Sequence, residues 1–94
     1  MTDLDAQARS EAGVPSNVRG ALVTNVDQNS NAAEAQLRAG DVIVEINRQP
    51  VHNADEAVAL SEKVKGDRIL LRIWRGGEGR GGMLWLSVDN TKRK

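Results

Sequence analysis

The sequence predicts one small α+β domain, and three observations support this fold class. Short runs rich in Val, Ile and Leu recur at residues 20–26, 42–46, 68–75 and 83–88, as expected for strands. Residues 53–65 have the flanking cap residues of a helix. The 94 residues suffice for one domain and not for two. Because the chain has no Phe and no Tyr, its core must consist mainly of aliphatic side chains.

The first part of the chain predicts a helix followed by a strand. Asp3 or Asp5 can cap a short helix over residues 5–11, and Gly13 is expected to end that helix in the left-handed conformation. A polar turn then leads into the predicted strand at residues 20–26.

The middle of the chain gives the most informative local pattern. Ser30 is a natural N-cap for an Ala-rich helical turn at residues 31–36. A Gly-Asp pair at residues 40–41 then interrupts the chain, and residues 42–46 form a β-branched strand. Residues 47–50 have the composition of a turn and therefore end this strand.

The longest predicted helix follows a short extended piece that begins at Val51. Asn53 and Glu56 have the spacing of a capping box, in which the Asn side chain accepts from the third helical amide and Glu56 reaches back. The helix runs to about residue 65, and the Gly-Asp pair at residues 66–67 stops it.

Two strands are predicted near the end of the chain, at residues 68–75 and 83–88, with a glycine-rich connection at 76–82. Trp74 and Trp85 lie on these neighbouring strands, where they pair across the connection or cover one edge of the core. A structural role is favoured for both residues, because large aromatic side chains dominate small cores. The alternative is an exposed Trp at a partner surface.

Composition and charge exclude several classes of function. The net charge is zero, with three Lys/Arg against seven Asp/Glu in residues 1–47 and ten against six in residues 48–94. This modest dipole predicts no nucleic-acid partner. The chain has no Cys for a disulfide or thiolate metal site, and no run of about 20 apolar residues that would predict membrane insertion. Its acidic start is unlike a secretory signal peptide.

The residues with chemical potential favour structural interpretations. The glycine-rich stretch at 76–82 precedes a strand and not a helix, so a hairpin connection is a better interpretation than a phosphate loop. Its two Arg-Gly-Gly triplets are weak support for RNA binding in a neutral domain. His52 has no second His and no Cys nearby, and Ser61 and Asp55 do not complete a credible catalytic group. We therefore predict no catalysis, metal or cofactor.

The stretch L-R-A-G-D-V-I-V-E-I-N-R-Q-P at residues 37–50, with the Ala-rich segment before it, resembles a known signature. That signature is S-P-A-A-x-A-G-L-x-x-G-D-V-I-x-x-I-N-G-x-x-V of bacterial PDZ domains. Residues 20–26 also resemble the G-V-x-V-T-x-V strand of PDZ domains in HtrA/Deg-type serine proteases, particularly a C-terminal one. Asn31 stands where Pro is usual, and Gln36 stands where Gly is usual.

The resemblance implies a single PDZ domain over residues 1–94, with a core at about 4–88 and a basic tail at 89–94. The implied fold is a PDZ-like small antiparallel β-sandwich or partial barrel of about five strands with two or three helices. The implied function is recognition of C-terminal or extended apolar peptide segments, including those of unfolded proteins. The implied context is a non-catalytic substrate-recognition or regulatory domain of a periplasmic or cell-envelope trypsin-like serine protease.

In that family a peptide adds as an extra strand between one strand and the longer helix. The resemblance places six residues of this sequence on the groove, namely Leu22, Val23, Asn53, Ala57, Leu60 and Ser61. The small Ala57 and Ser61 would leave a roomy pocket for a bulky terminal side chain. Helix geometry leaves an alternative, in which Ala57 and Leu60 are core residues while Val58 and Ser61 point outward.

The family's carboxylate-binding loop and groove strand precede the first helix, where this sequence has only residues 1–4. We therefore expect most of the groove strand to be missing and peptide binding to be weakened or abolished. An exposed sheet edge at residues 20–26 would favour self-association. Two alternatives stay open: an assembly domain that packs on a protease domain or a sister PDZ, and a PDZ domain of another parent. Such parents include a C-terminal processing protease, an intramembrane metalloprotease and a secretion-system component.

Overall fold

The computed structural model describes residues 2–15, 17–28, 31–63, 66, 68–77 and 80–89. In this part of the chain the helices are α1 (Ala6–Ala12), α2 (Asn31–Glu34) and α3 (Ala54–Lys63). The strands are β1 (Thr2–Asp3), β2 (Ala21–Leu22), β3 (Val42–Ile46), β4 (Gln49–Pro50), β5 (Arg68–Gly77) and β6 (Arg80–Asp89).

All strand pairs are antiparallel and form one sheet in the order β1-β2-β3-β5-β6, with β4 paired to β3. The predicted α+β class is confirmed, with six described strands where about five were expected. The additional pairing comes from β1, whose Thr2 and Asp3 lie opposite Leu22 and Ala21 of β2. A two-residue strand of this kind is too short to give a sequence signal.

The caps of α1 in the structure are Asp5 and Gly13, which are among those that the sequence predicts. The Asp5 carboxylate accepts a hydrogen bond from the Ala8 amide at 2.8 Å, and Gly13 has the left-handed φ of 69°. At α3, Asn53 Oδ1 accepts from the Glu56 amide at 2.8 Å, as predicted. The proposed cap Ser30 and residues 64, 65 and 67 beyond α3 lie outside the described residues.

Two predicted strands differ in length from those in the structure. Residues 20–26 contribute only Ala21–Leu22 to the sheet ladder, because the next residue, Val23, exchanges backbone hydrogen bonds with Gly40 and Asp41. The predicted glycine connection is mostly strand, since Gly76 pairs with Gly81 and Gly77 pairs with Arg80. Glycines can extend a hairpin because the ladder needs only their backbone groups.

The sheet carries a core cluster on each face. The α3-side cluster contains Ala21, Val23, Leu37, Ile43, Ile46, Val51, Ala57, Leu71, Ile73 and Val88. The α1-side cluster contains Val14, Val18, Val42 and Trp74, with Leu4, Leu22 and Val44 packed against it. An irregularity in the β3–β5 register between Ile43 and Glu45 lets Ile43 and Ile46 share one cluster, although uninterrupted alternation would place them on opposite faces.

Gln36 and Arg48 occupy left-handed backbone conformations, with φ of 73° and 68°. Both stand where the PDZ signature has glycine, and Arg48 is thus a departure from the signature in addition to Asn31 and Gln36. Asn47, with φ of 49°, completes a two-residue turn with Arg48 between β3 and β4. Positive φ at both central residues is the type I′ hairpin arrangement.

We predict that replacing Gln36 by glycine stabilises the domain by about 1 kcal/mol, because a non-glycine side chain is disfavoured in this conformation. Thermal unfolding followed by circular dichroism should show an increase in Tm of about 4–8 °C. Arg38→Gly is the matched control, since Arg38 is not among the described residues with positive φ. The control should lower stability by about 0.5 kcal/mol. An unchanged or lower Tm for Gln36→Gly would contradict the prediction.

Candidate functional site

The candidate site lies where the edge strand β1 meets the start of α3. The strand β1 forms one edge of the sheet, because it pairs with β2 alone among the described strands. The Asp3 carboxylate accepts a hydrogen bond from the Ala54 amide at 2.7 Å. This contact joins residues 51 positions apart and holds the edge strand beside the helix. Sequence patterns gave no signal for it, since Asp3 was considered only as a cap for α1.

The first turn of α3 has a second carboxylate contact. Glu56 Oε2 accepts from the His52 amide at 2.8 Å and lies 2.9 Å from His52 Nδ1. The capping box is therefore only partly formed. In a complete box Glu56 would accept from the Asn53 amide, whereas here it accepts from the amide of the preceding residue, His52. The two contacts with His52 lower the pKa of Glu56, with the backbone hydrogen bond as the larger cause. Glu56 thus stays charged to a lower pH than a free glutamate.

The six residues expected on the groove do not share one environment. Val23 and Ala57 are fully enclosed in the α3-side cluster, at 2% and 0% exposure, and Leu60 packs against the same cluster. Leu22 packs against the α1-side cluster, on the opposite face of the sheet. This separation of neighbouring residues follows from strand alternation. The structure therefore brings Val23, Ala57 and Leu60 together and leaves Leu22 apart.

The two polar residues of the expected set are Asn53, just before α3, and Ser61 on α3, and both are partly accessible. Asn53 uses its side-chain oxygen to cap the helix. The Ser61 hydroxyl donates to the Val58 carbonyl at 2.8 Å, and Val58 is 43% exposed. The placement of Ala57 inward and Val58 outward agrees with the alternative that helix geometry gave. Of the four residues expected on the groove from α3 and its N-cap, Asn53 and Ser61 are the two with polar side chains.

A cavity of about 270 Å³ lies at the other end of α3. Its lining residues are Ile46, Asn47, Gln49, Leu60, Lys63, Gly66 and Arg68. Leu60 thus faces the β3–β4 turn as well as the core. The sequence did not predict this cavity, because its walls come from two separated segments of the chain, residues 46–49 and 60–68.

The second edge of the sheet, at β6, exposes apolar side chains. Met83, Leu84 and Trp85 are 43%, 39% and 51% exposed. The Trp85 ring lies 5.4 Å from the guanidinium carbon of Arg72, which pairs with Glu45 at 2.9 Å. A structural role was predicted for both tryptophans, and the structure separates them, since Trp74 is buried at 6% exposure in the α1-side cluster.

A buried ion pair connects the segment before β3 to β5. Asp41 is 2% exposed, and its carboxylate oxygens accept from Arg75 Nε at 2.8 Å and Arg75 Nη2 at 2.7 Å. The Arg38 amide donates to the same carboxylate, and Arg75 also donates to the Gln36 carbonyl. The hydrogen bonds with Asp41 raise the pKa of Arg75. Both Asp41 carboxylate oxygens and two of the three guanidinium nitrogens of Arg75 thus have partners within the domain, which indicates a structural role for the pair.

The described residues contain no group of three or more His, Cys, Asp or Glu side chains arranged to hold a metal ion. Within the same part of the chain, no helix is long and apolar enough to cross a membrane.

The fold and the edge strand beside α3 define a class of protein, and comparison with known sequences defines the same class. A sequence model described as PDZ domain matches residues 22–75. The chain belongs to the PDZ family, whose members are protein-interaction domains and are generally non-catalytic.

Proteases are among the relatives of this chain. The magnetosome formation protease MamE of Magnetospirillum gryphiswaldense is 34% identical over 79 residues, covering 83% of this chain and 10% of the relative. A probable periplasmic serine endoprotease, DegP-like, of Brucella suis is 38% identical over 65 residues, covering 66% and 13%. The DegP-like protein of Chlamydia muridarum is 31% identical over 76 residues, covering 81% and 15%. The chain therefore spans about a tenth to a seventh of these relatives.

Proposed function

We propose that this domain binds extended apolar peptide segments, including free C-termini, by strand addition along the outer edge of β1. The observation that carries the proposal is the position of that edge beside α3, held by the hydrogen bond from Ala54 to Asp3. An edge strand offers unpaired backbone groups for a peptide, and side chains on the adjacent helix supply selectivity.

The residues proposed for this groove are Asn53 at the N-cap of α3 and Ser61 on α3, with Ala57 and Leu60 forming its floor. Ala57 is fully buried, so the side chain of the peptide would have to displace neighbouring groups to reach it. Leu22 and Val23 were also expected on the groove from the resemblance. Because neither is exposed at the β1 edge, they would not contact the peptide and would only help to hold β2 in place.

In the parent protein, we propose a substrate-recognition or regulatory role within an envelope serine protease. The support is the similarity to two kinds of protein. MamE is described as a protease, and the DegP-like proteins are described as probable periplasmic serine endoproteases. The domain itself would contribute no catalytic residue. The proposed location is the periplasm or cell envelope, and the proposed partners are unfolded-protein segments and the protease domain.

We predict that peptides ending in a free apolar residue perturb the amide resonances of β1 and α3 in an NMR titration. Ser61→Arg should weaken binding at least about tenfold, because the long side chain would occupy the groove. Ala59→Arg is the matched control, since exposed Ala59 lies on the same helix and the change adds the same charge. Equal effects of the two variants would contradict the proposed groove.

The length of β1 supplies a second test. A version with an N-terminal extension that lengthens β1 should bind at least about tenfold more tightly, because each added residue offers further backbone groups. Equal affinity of the two versions would mean that the two-residue β1 does not limit binding. If neither version showed shifts at about 1 mM peptide, a concentration that would detect even weak binding, the proposal would be overturned.

A further inference from the structure

The strand β6 forms the edge of the sheet opposite to β1. Its ten residues pair with β5 alone among the described strands. Residues 81–88 contain no charged residue and no proline. Proteins normally guard long edges with charges, prolines or a covering element, because unpaired backbone groups recruit other chains. The edge of β6 lacks the first two of these devices over eight consecutive residues. The short helix α2 lies close to β6, but Met83, Leu84 and Trp85 stay exposed beside it.

The exposed side chains of this edge are adjacent in sequence and apolar. Met83 and Trp85 lie on one face of the strand, and Leu84 lies on the other. All three are more than one-third exposed, and they form the larger part of the exposed large hydrophobic residues among those described. A partner strand at this edge would cover all of them, on both faces, at once.

We propose that β6 pairs antiparallel with β6 of a second copy of this chain, about a twofold axis at Leu84. Directly opposite residues in an antiparallel pair must lie on the same face, which restricts the allowed registers. With the axis at Leu84, Met83 lies opposite Trp85 of the second copy, and Leu84 lies opposite its own equivalent. Every exposed apolar residue of one edge then meets an exposed apolar residue of the other.

This self-complementarity favours a second copy over an unrelated strand. The neighbouring register, with the axis at Trp85, would place Met83 opposite Ser87 and leave it without an apolar partner. Sulfur–aromatic contacts between Met83 and Trp85 would add to the burial of apolar surface. No like charges oppose each other within residues 81–88. The inference does not rest on peptide binding, since β1 lies at the far edge of the sheet and stays free in such a dimer.

Charge substitutions at Leu84 test the proposal. The wild-type chain should show a concentration-dependent monomer–dimer equilibrium in sedimentation equilibrium between about 10 µM and 1 mM, a range suited to a small interface. Leu84→Arg and Leu84→Glu should each raise the dissociation constant at least about tenfold, because each places like charges against each other on the axis. An equimolar mixture of the two variants should restore the dimer. Val58→Arg is the matched control on α3, with 43% exposure against 39% for Leu84, and should leave the dimer unchanged.

Each outcome decides the proposal. Rescue in the mixture, together with slower amide exchange of β6 at high concentration, supports self-pairing about Leu84. The proposal is overturned if the wild-type chain stays monomeric up to about 1 mM, the highest concentration of the sedimentation experiment. A dimer that resists both Leu84 variants while their circular dichroism stays native also overturns it, because its interface must then lie elsewhere.

Discussion

Replacing Arg75 by methionine is expected to lower the free energy of unfolding by about 3 kcal/mol, one of the largest effects of any single substitution in this domain. The change leaves the Asp41 carboxylate buried at 2% exposure without its countercharge. Breaking a buried pair is more costly than the net contribution of that pair, because the remaining charge stays desolvated. The Gln36 carbonyl also loses the hydrogen bond from Arg75.

Arg72→Met provides the control on the same strand. Arg72 makes an ion pair of similar length with Glu45, but the two side chains are 39% and 23% exposed. Pairs in contact with solvent contribute about 1 kcal/mol or less, so the control should lose no more than that. Urea unfolding at neutral pH measures both variants. Equal losses would mean that burial of Asp41 does not determine the strength of its pair.

The parts of the fold predicted from sequence are those that local chemistry determines. The cap of α1 by Asp5 and the cap of α3 by Asn53 each depend on residues three positions apart, and both are confirmed. The strands β5 and β6 follow from β-branched and apolar runs on either side of a glycine-rich connection. Their extension into the glycine stretch was missed, because glycine lacks the side-chain signal from which strands are recognised.

The contacts that were not predicted join residues far apart in the chain. Asp41 and Arg75 are 34 positions apart, and Asp3 and Ala54 are 51 positions apart. Asp41 appeared in the sequence only as a turn residue after Gly40, a role that any exposed Asp would satisfy. Nothing local distinguishes a buried carboxylate from an exposed one, since burial depends on which strands pair.

The candidate site shows the same division. The resemblance predicted which residues of α3 align with the groove but not how deeply each side chain is buried. Ala57 was therefore expected to line the groove, whereas it is fully buried. The resemblance placed both Leu22 and Val23 on the groove, although strand alternation sends the two to opposite faces. The exposed edge expected at residues 20–26 is covered at Ala21–Leu22 by β1. The edge with exposed apolar side chains is β6, whose uncharged sequence was the available signal.

Gly20→Ala is the second substitution for which a large effect is expected, with a loss of about 3 kcal/mol or failure to fold. A methyl group on Gly20 would overlap with the Ile43 carbonyl oxygen and would lie 2.9 Å from its carbonyl carbon. Both atoms belong to the backbone of β3, which cannot move without disturbing the pairing of Ala21 with Ile43. The third neighbour, Val42 Cγ1 at 3.1 Å, belongs to the α1-side cluster.

Gly82→Ala is the matched control, because nothing lies within 4 Å of the added methyl group and Gly82 has no positive φ among the described glycines. The control should be neutral or more stable by about 0.5 kcal/mol, since alanine loses less conformational freedom on folding. Urea unfolding at low protein concentration measures both variants, and the β2 and β3 amides should lose protection from exchange in Gly20→Ala first. If Gly20→Ala were as stable as the wild type, β2 and β3 could not be as close as the structure places them.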